Sequence, residues 1–161
     1  MAINVRRVVT GHNADGKAVV QIDEISTNEI SKRPGHIGCV IWTNGEMPAD
    51  NSADAATDDA ALAKVDTGLP GGAVFRLVEY SPGVAPRDHR TDTIDYAVVM
   101  SGEIEMNLEG TVVKLKQGDV LVQRGTIHNW VNNGPGPCLI AFVLIDAKPA
   151  LAGSKTLAAT G

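Results

Sequence analysis

Residues 83–102 carry the clearest structural pattern in the chain and read GVAPRDHRTDTIDYAVVMSG. Within them a mainly apolar run, Thr93–Met100, follows a polar segment and ends at a Ser-Gly turn pair. Side chains of a β-strand alternate between its two faces, so counting in steps of two places His89, Thr91 and Asp95 on the same face. This stretch therefore predicts a β-strand that has a row of polar side chains on one face and belongs to a mainly apolar sheet.

The pattern of short strands extends across residues 73–146. Turn residues, mostly Gly, Pro, Asn and Ser, separate the apolar runs. Evenly spaced short strands with turn residues between them are typical of an antiparallel sandwich or barrel, so the sequence predicts an all-β fold. The seven predicted strands are Val74–Tyr80, Thr93–Met100, Ile104–Leu108, Val112–Leu115, Val120–Gln123, His128–Val131 and Leu139–Ile145.

Residues 1–45 are predicted to add strands on the N-terminal side of this region. Val5–Val9 and Ala18–Ile22 flank the turn signal Asp15-Gly16 and predict a hairpin. Cys39–Trp42 predicts one further strand. These strands either join the same barrel or pair with a partner subunit.

Two other segments have weaker patterns. Residues 46–72 are rich in Asp and Ala, and they predict either an acidic loop or a loop with a short helix around Asp58–Lys64. A loop of this length is often a lid or an insertion. Residues 147–161 are mostly small, and they predict a frayed tail or a loosely docked helix.

Composition excludes several classes of protein. The chain of 161 residues fits one domain, and its 14 Lys and Arg against 19 Asp and Glu give a net charge of −5. This charge argues against a nucleic-acid or anionic-membrane partner. No apolar run approaches the roughly 18 residues of a membrane span, so we expect a cytoplasmic protein. Cys39 and Cys138 lie in apolar runs and are expected to be buried free thiols.

The four histidines are the first candidates for chemistry. His12 lies in the first predicted turn and His36 in a Pro-Gly loop, so both are expected at the surface. His89 and His128 each open a strand in the β-rich region. If the faces of these two strands point into one barrel, the two imidazoles meet the carboxylate of Asp95 there.

Two imidazoles and one carboxylate suit a divalent ion such as Fe, Mn, Ni, Co or Zn, and they leave coordination positions open for substrate. The residues also allow a structural interpretation. In that case His89 begins an exposed loop and Asp95 accepts hydrogen bonds at a strand edge.

The spacing of these residues resembles the cupin family. The first cupin motif is a Gly, five residues, His-x-His, three or four residues, Glu, six residues and Gly; here Gly83, His89, Thr91, Asp95 and Gly102 stand at those intervals. The second motif ends in a Gly, two residues, His, three residues and Asn.

In this chain Gly125, His128 and Asn132 stand at the intervals of that second motif. Its first interval, from Gly118, is one residue short, and Gln123 stands where Pro is usual. The resemblance covers about residues 73–145.

The resemblance implies a double-stranded β-helix, the cupin jelly-roll barrel, with an N-terminal β extension and a ligand held in the barrel mouth. Cupins commonly form homodimers in which N-terminal strands cross to the partner. The four metal-ligand positions of the family fall on His89, Thr91, Asp95 and His128. Because a threonine is a poor ligand for a divalent ion, the implied metal site is reduced to His89, Asp95 and His128.

Three functions are compatible with this site. The first is a metalloenzyme that acts on a small oxygenated organic substrate through a metal-stabilised enolate, as a lyase, dehydratase, isomerase or dioxygenase, with His128 and Gln123 as catalytic residues. The second is a metal-free lyase or isomerase in which Asp95 or Gln123 orients His128 as general base. The third is a small-molecule-binding cupin without catalysis.

Other side chains near the motifs leave alternatives open. The amide of Gln123 either enters the cavity or caps a turn, and Trp130 either walls a ligand site or packs in the core. Tyr96 has the opposite phase to Asp95 and is expected to pack against a neighbouring sheet. Asn132 is expected to hold the backbone of its turn.

Overall fold

The computed structural model describes residues 3–52, 65 and 67–161. The helix predicted around Asp58–Lys64 lies outside the described residues. Every regular element in the described part of the chain is a β-strand, in agreement with the predicted all-β class. No helix in that part is both long and apolar enough to cross a bilayer.

The described strands follow the turn residues of the sequence closely. They are β1 (Arg6–His12), β2 (Ala18–Ile25), β3 (Glu29–Arg33), β4 (His36–Asn44), β5 (Ala73–Tyr80), β6 (Thr93–Ser101), β7 (Glu103–Leu108), β8 (Thr111–Lys116), β9 (Val120–Arg124), β10 (Asn129–Val131), β11 (Cys138–Asp146), β12 (Ala150–Ala152) and β13 (Lys155–Leu157).

Two antiparallel sheets form the body of the molecule. The larger has six strands in the order β3-β4-β5-β11-β6-β9, and the smaller has three in the order β10-β7-β8. Strands β3 and β4 from the N-terminal region join the larger sheet, whereas β1 and β2 form a separate two-stranded sheet. Strands β6 and β9 are paired in the larger sheet although β7 and β8 separate them in the sequence. This pair of strands forms one side of the site described below.

The main core lies between the two sheets. It takes buried side chains such as Val78, Ile140 and Phe142 from the larger sheet and Ile104 and Met106 from the smaller one. Buried positions alternate with half-buried or exposed ones along β6 and β11, which aims one face of each strand into this core. Side chains therefore fill the space between the two sheets.

The C-terminal segment differs from the expected frayed or helical tail. It forms a hairpin of β12 and β13, with Gly153 at a φ of 62° in the turn between them. Beyond the hairpin, Thr160 pairs with Arg90 as an antiparallel bridge. The strands have only three residues each, too few for their alternation to stand out in the sequence.

The outer face of the larger sheet also differs from expectation. Tyr96 points away from Asp95, as the alternation predicted, but it is 48% exposed and does not pack against a neighbouring sheet. Val98, Val120 and Val122 are exposed on the same two strands. The predicted direction of the Tyr96 side chain is confirmed. The neighbouring sheet that was expected to cover it is not found among the described residues.

Candidate active site

His89 and His128 lie directly opposite each other. An isolated antiparallel bridge joins them, with His89 N donating to His128 O and His128 N donating to His89 O, both at 3.0 Å. Their ring centroids are 4.2 Å apart. The predicted convergence of these two histidines is therefore present, although nearly forty positions separate them in the sequence.

Hydrogen bonds to the backbone fix the tautomer of both rings. Nδ1 of His89 lies 3.1 Å from the carbonyl oxygen of Arg87, and Nδ1 of His128 lies 3.0 Å from that of Thr126. A carbonyl oxygen only accepts, so each Nδ1 carries the proton and each neutral ring keeps its lone pair on Nε2. The two side chains thus bring two proton acceptors into one site.

Burial keeps both rings in this neutral form. It lowers the pKa of His89 to about 4, and the neighbouring His128 adds to this effect, while the hydrogen bond to the carbonyl of Arg87 opposes it. Burial also lowers the pKa of His128, against the opposing effect of the hydrogen bond to the carbonyl of Thr126. Because a positive charge on His128 disfavours one on His89, the two neutral rings do not readily take up two additional protons.

Asp95 is buried at the base of the same site and is fully engaged by neighbours. Thr93 donates its hydroxyl to Oδ1 at 2.6 Å, and Gln123 donates its amide to Oδ2 at 3.1 Å. Thr93 has given its only hydroxyl proton to Asp95, so its 2.7 Å contact with Thr91 uses the proton of Thr91. Burial raises the pKa of Asp95, while the hydrogen bond from Thr93 works in the opposite direction.

Two neighbouring cavities are lined by these groups. The inner cavity of about 20 Å³ is lined by His89, His128, Thr91 and Asp95 among others, and it has room for about one water-sized group. The outer cavity measures about 340 Å³ and shares His89 and Tyr80 with the inner one. His89 therefore lies between the two spaces and lines both of them.

Aromatic rings form the wall of the inner cavity. Trp130 is 2% exposed and lies edge-on to both His128 and Phe142, with centroid separations of 5.8 Å in each case. Tyr80 is 5.9 Å from Trp130. Trp130 thus combines the two predicted roles, since it belongs to the core cluster and also lines the cavity.

His36 belongs to the outer cavity, so the prediction that it is a surface residue was wrong. It opens β4 opposite Tyr80, and its ring packs edge-on against Tyr80 at 5.5 Å. Burial and the charges of Arg33, Arg76 and Arg87 lower its pKa to about 4. The pairing of β4 with β5 buries it, and no local sequence signal shows that pairing. His12 is exposed, as predicted.

The three predicted metal ligands differ in how well their donor atoms suit a divalent ion. The Nε2 atoms of His89 and His128 suit a metal, but both oxygens of Asp95 already accept hydrogen bonds. Within residues 3–52, 65 and 67–161, no three His, Cys, Asp or Glu side chains are grouped so that they could hold an ion. The described residues do not form a complete metal centre, and the ligand set His89, Asp95 and His128 stays a prediction.

The predicted orientation of His128 also needs revision. Neither Asp95 nor Gln123 contacts its ring through a hydrogen bond in the described structure; the carbonyl of Thr126 holds it instead. Gln123 is 4% exposed and directs its amide to Asp95, so it does not cap a turn. Its predicted catalytic role is untested, and its observed contact is that of a positioning residue.

Fold and site together define a small jelly-roll barrel with a histidine-lined pocket at its open end. The family profile described as Cupin domain matches residues 76–145. The chain is 37% identical over 161 residues to the oryzines biosynthesis cluster protein J of Aspergillus oryzae, an alignment that covers 95% of this chain and 89% of that protein. The chain therefore belongs to the cupin family.

Two further comparisons agree with this assignment. The cupin-domain-containing oxidoreductase virC of Hypocrea virens is 33% identical over 148 residues, which cover 89% of this chain and 76% of that protein. The structure of the Cnp3 cupin domain of Schizosaccharomyces pombe superposes with a TM-score of 0.52 at 12% identity, covering 88% of this chain and 87% of that one. The latter likeness confirms the predicted double-stranded β-helix fold.

Proposed function

We propose that this protein is a cupin enzyme that transfers protons on a small oxygenated organic substrate, with His128 as general base. The observation that carries the proposal is the pair of neutral imidazoles whose lone pairs lie on Nε2 at one small cavity. Relatives named as a biosynthesis cluster protein and an oxidoreductase support an enzymatic role in biosynthesis.

The chemistry follows from the two cavities. A carbonyl or hydroxyl group of the substrate fits the inner cavity, and its carbon skeleton occupies the outer one. Nε2 of His128 takes a proton from the carbon next to that group and returns it to a second position, so that the ring ends the cycle neutral. His89 stays uncharged beside it and accepts a hydrogen bond from a hydroxyl of the substrate.

The remaining polar side chains have supporting roles. Thr93 and Gln123 satisfy both oxygens of Asp95, and the resulting network fixes the cavity floor. Trp130 excludes water from the edge of His128. Isomerisation or elimination is the simplest reaction that such a site would catalyse, so the enzyme would be an isomerase or a lyase.

A metalloenzyme with a divalent ion at His89, Asp95 and His128 is the second candidate. The observation that favours it is the adjacent placement of two Nε2 donors, at a ring separation of 4.2 Å. Asp95 would bind the ion through a lone pair that its hydrogen bonds from Thr93 and Gln123 leave unused.

Deuterium exchange tests the two candidates. Chelator-treated protein is incubated in D₂O with a panel of hydroxy-ketones and phenolic hydroxy-acids, and label at carbon is followed by NMR. We expect catalysed exchange by the chelator-treated protein, a loss of about 100-fold or more in His128→Gln, and no change in the exposed control His12→Gln.

Other results assign the protein differently. Exchange that disappears with the chelator and returns with one added metal, together with a metal content lost in His128→Gln, establishes the metalloenzyme. Absence of exchange with the whole panel, with and without metal, refutes proton transfer and leaves a binding protein.

A further inference from the structure

The outer cavity has a strongly cationic wall. Four of its lining side chains are Lys32, Arg33, Arg76 and Arg87, and its described lining contains no Asp or Glu. This is unusual in a chain whose net charge is −5. Positive side chains concentrated in a cleft raise the local concentration of anions.

Two of these guanidinium groups are held by backbone oxygens. Arg33 donates to the carbonyl of Ala85 at 2.9 Å, and Arg87 donates to a main-chain oxygen of Gly161, the last residue of the sequence, at 2.8 Å. Across the residues that the structure describes, Arg33 forms no ion pair with a side-chain carboxylate. The Ala85 contact therefore orients Arg33 without supplying a counter-charge, whereas Arg87 lies against an oxygen of the terminal residue.

The charges are close enough to affect their neighbours. Burial lowers the pKa of Arg33 and the charge of Arg87 adds to it; burial likewise lowers the pKa of His36, and the charges of Arg33 and Arg87 add to that effect. Gathering like charges in one wall costs free energy, which an anionic ligand would offset.

His36 lines the same cavity. Its Nδ1 is buried and has no hydrogen-bond partner within the described structure, so its ring contributes its carbon edge and Nε2 side to the site. The facing part of the cavity is apolar, with Ile30, Val40 and the ring of Tyr80.

We propose that the substrate is a small organic acid whose carboxylate binds between Arg33 and Arg87. Its apolar or aromatic body lies along Tyr80 and Val40, and its oxygen-bearing end reaches His89 at the junction with the inner cavity. This inference rests on the proposed function for the identity of the ligand as a substrate, while the carboxylate site itself rests on the cavity alone.

Binding of two isosteric probes tests the carboxylate site. Benzoate and its neutral analogue benzamide are titrated into the protein by calorimetry. We expect benzoate to bind at least about tenfold more tightly, because its carboxylate forms charge-assisted hydrogen bonds with a guanidinium that the neutral amide cannot form. Added salt should weaken benzoate binding and leave benzamide unchanged.

Variants then locate the site. Arg33→Gln and Arg87→Gln should each weaken benzoate binding about tenfold, whereas Arg124→Gln, on the exposed end of β9 and outside the cavity, should not. Arg33→Lys keeps the charge and serves if Arg33→Gln fails to fold. His128→Gln should retain benzoate binding, which separates this inference from the proposed catalysis.

The possible outcomes are distinct. Equal affinity for both probes, absence of binding by either, or insensitivity to Arg33 and Arg87 overturns the carboxylate site. Preference for phenyl phosphate over benzoate with the same arginine dependence also overturns it and assigns a phosphate ester instead. If benzoate binding depends on the arginines but no panel compound is turned over, the carboxylate site stands and the proposed function fails.

Discussion

Replacing Asn132 by alanine should destabilise the barrel more than any nearby surface change. Asn132 is 1% exposed, and its Nδ2 donates to the carbonyls of Tyr80, at 2.7 Å, and Gly136, at 3.0 Å. Its Oδ1 accepts from the backbone N–H of Gly134 at 2.8 Å. These contacts confirm that Asn132 holds its turn, and they also tie that turn to the end of β5.

The magnitude follows from those three hydrogen bonds. Each contributes a net of about 1 kcal/mol, so Asn132→Ala should lower the free energy of unfolding by about 3 kcal/mol. For a domain of this size, 1 kcal/mol shifts Tm by about 2–4 °C, which gives a decrease of roughly 6–12 °C. The neighbouring Asn133 is exposed and makes one bond, to Glu105 at 3.1 Å, so Asn133→Ala should stay within about 0.5 kcal/mol of the wild type.

Urea and thermal unfolding of both variants provide the measurement. The denaturant dependence of the free energy should be unchanged, because the same surface is exposed on unfolding. A loss below about 1 kcal/mol in Asn132→Ala, or equal losses in the two variants, would refute the assignment of Asn132 as the residue that holds its turn against the end of β5. The backbone N–H of Gly83, which donates to the carbonyl of Asn132 at 2.9 Å, gives a local reporter in hydrogen exchange and should lose protection in the same variant.

Three further predictions concern other parts of the molecule. Gln123→Ala removes the donor to a buried carboxylate oxygen and should cost about 2 kcal/mol in urea unfolding, against little change for the exposed Gln117→Ala. The pKa of His36 is lowered from 6.5 to about 4, so the unfolded chain takes up a proton on this side chain at a higher pH than the folded chain does. As the pH falls through this interval, the free energy of unfolding of the wild type should therefore decrease by about 1–2 kcal/mol relative to that of His36→Gln, a value discounted for the partial exposure of the ring. The predicted homodimer, built through the N-terminal strands, should give twice the chain mass in light scattering and become monomeric in Val20→Asp, which changes a 57% exposed side chain of β2, but not in Val122→Asp.

The barrel and the meeting of the histidines could be predicted because local patterns define them. Alternation fixed the face of His89 and Asp95, and the interval from Gly125 to His128 placed the second imidazole in a strand-turn unit of known type. His89 and His128 themselves lie just outside β6 and β10, and an isolated bridge rather than a strand pairing sets them opposite each other, so this last contact had no signal in the local pattern.

The basic cavity could not be predicted in the same way because distant segments build it. Arg33 comes from β3, and Arg87 from the loop before β6, and both approach His36 only after β4 has paired with β5. None of these residues stands in a spacing pattern of its own. Likewise, the backbone carbonyls that set the tautomers of the histidines have no side-chain signature.

Two of the departures from the first cupin motif, Thr91 and Asp95, form one connected hydrogen-bonded change. A histidine at position 91 would offer a ring nitrogen to the inner cavity, whereas Thr91 offers a hydroxyl that donates to Thr93. Thr93 in turn donates to Asp95, which is a methylene shorter than the usual glutamate and lies within reach of Thr93 and of Gln123 opposite it on β9. Each oxygen of the carboxylate that the family directs at a metal here accepts one hydrogen bond from a protein donor, while the neutral imidazoles of His89 and His128 keep the lone pairs of their Nε2 atoms. This local rearrangement is the reason to assign the chemistry to the imidazole pair rather than to the three-ligand set.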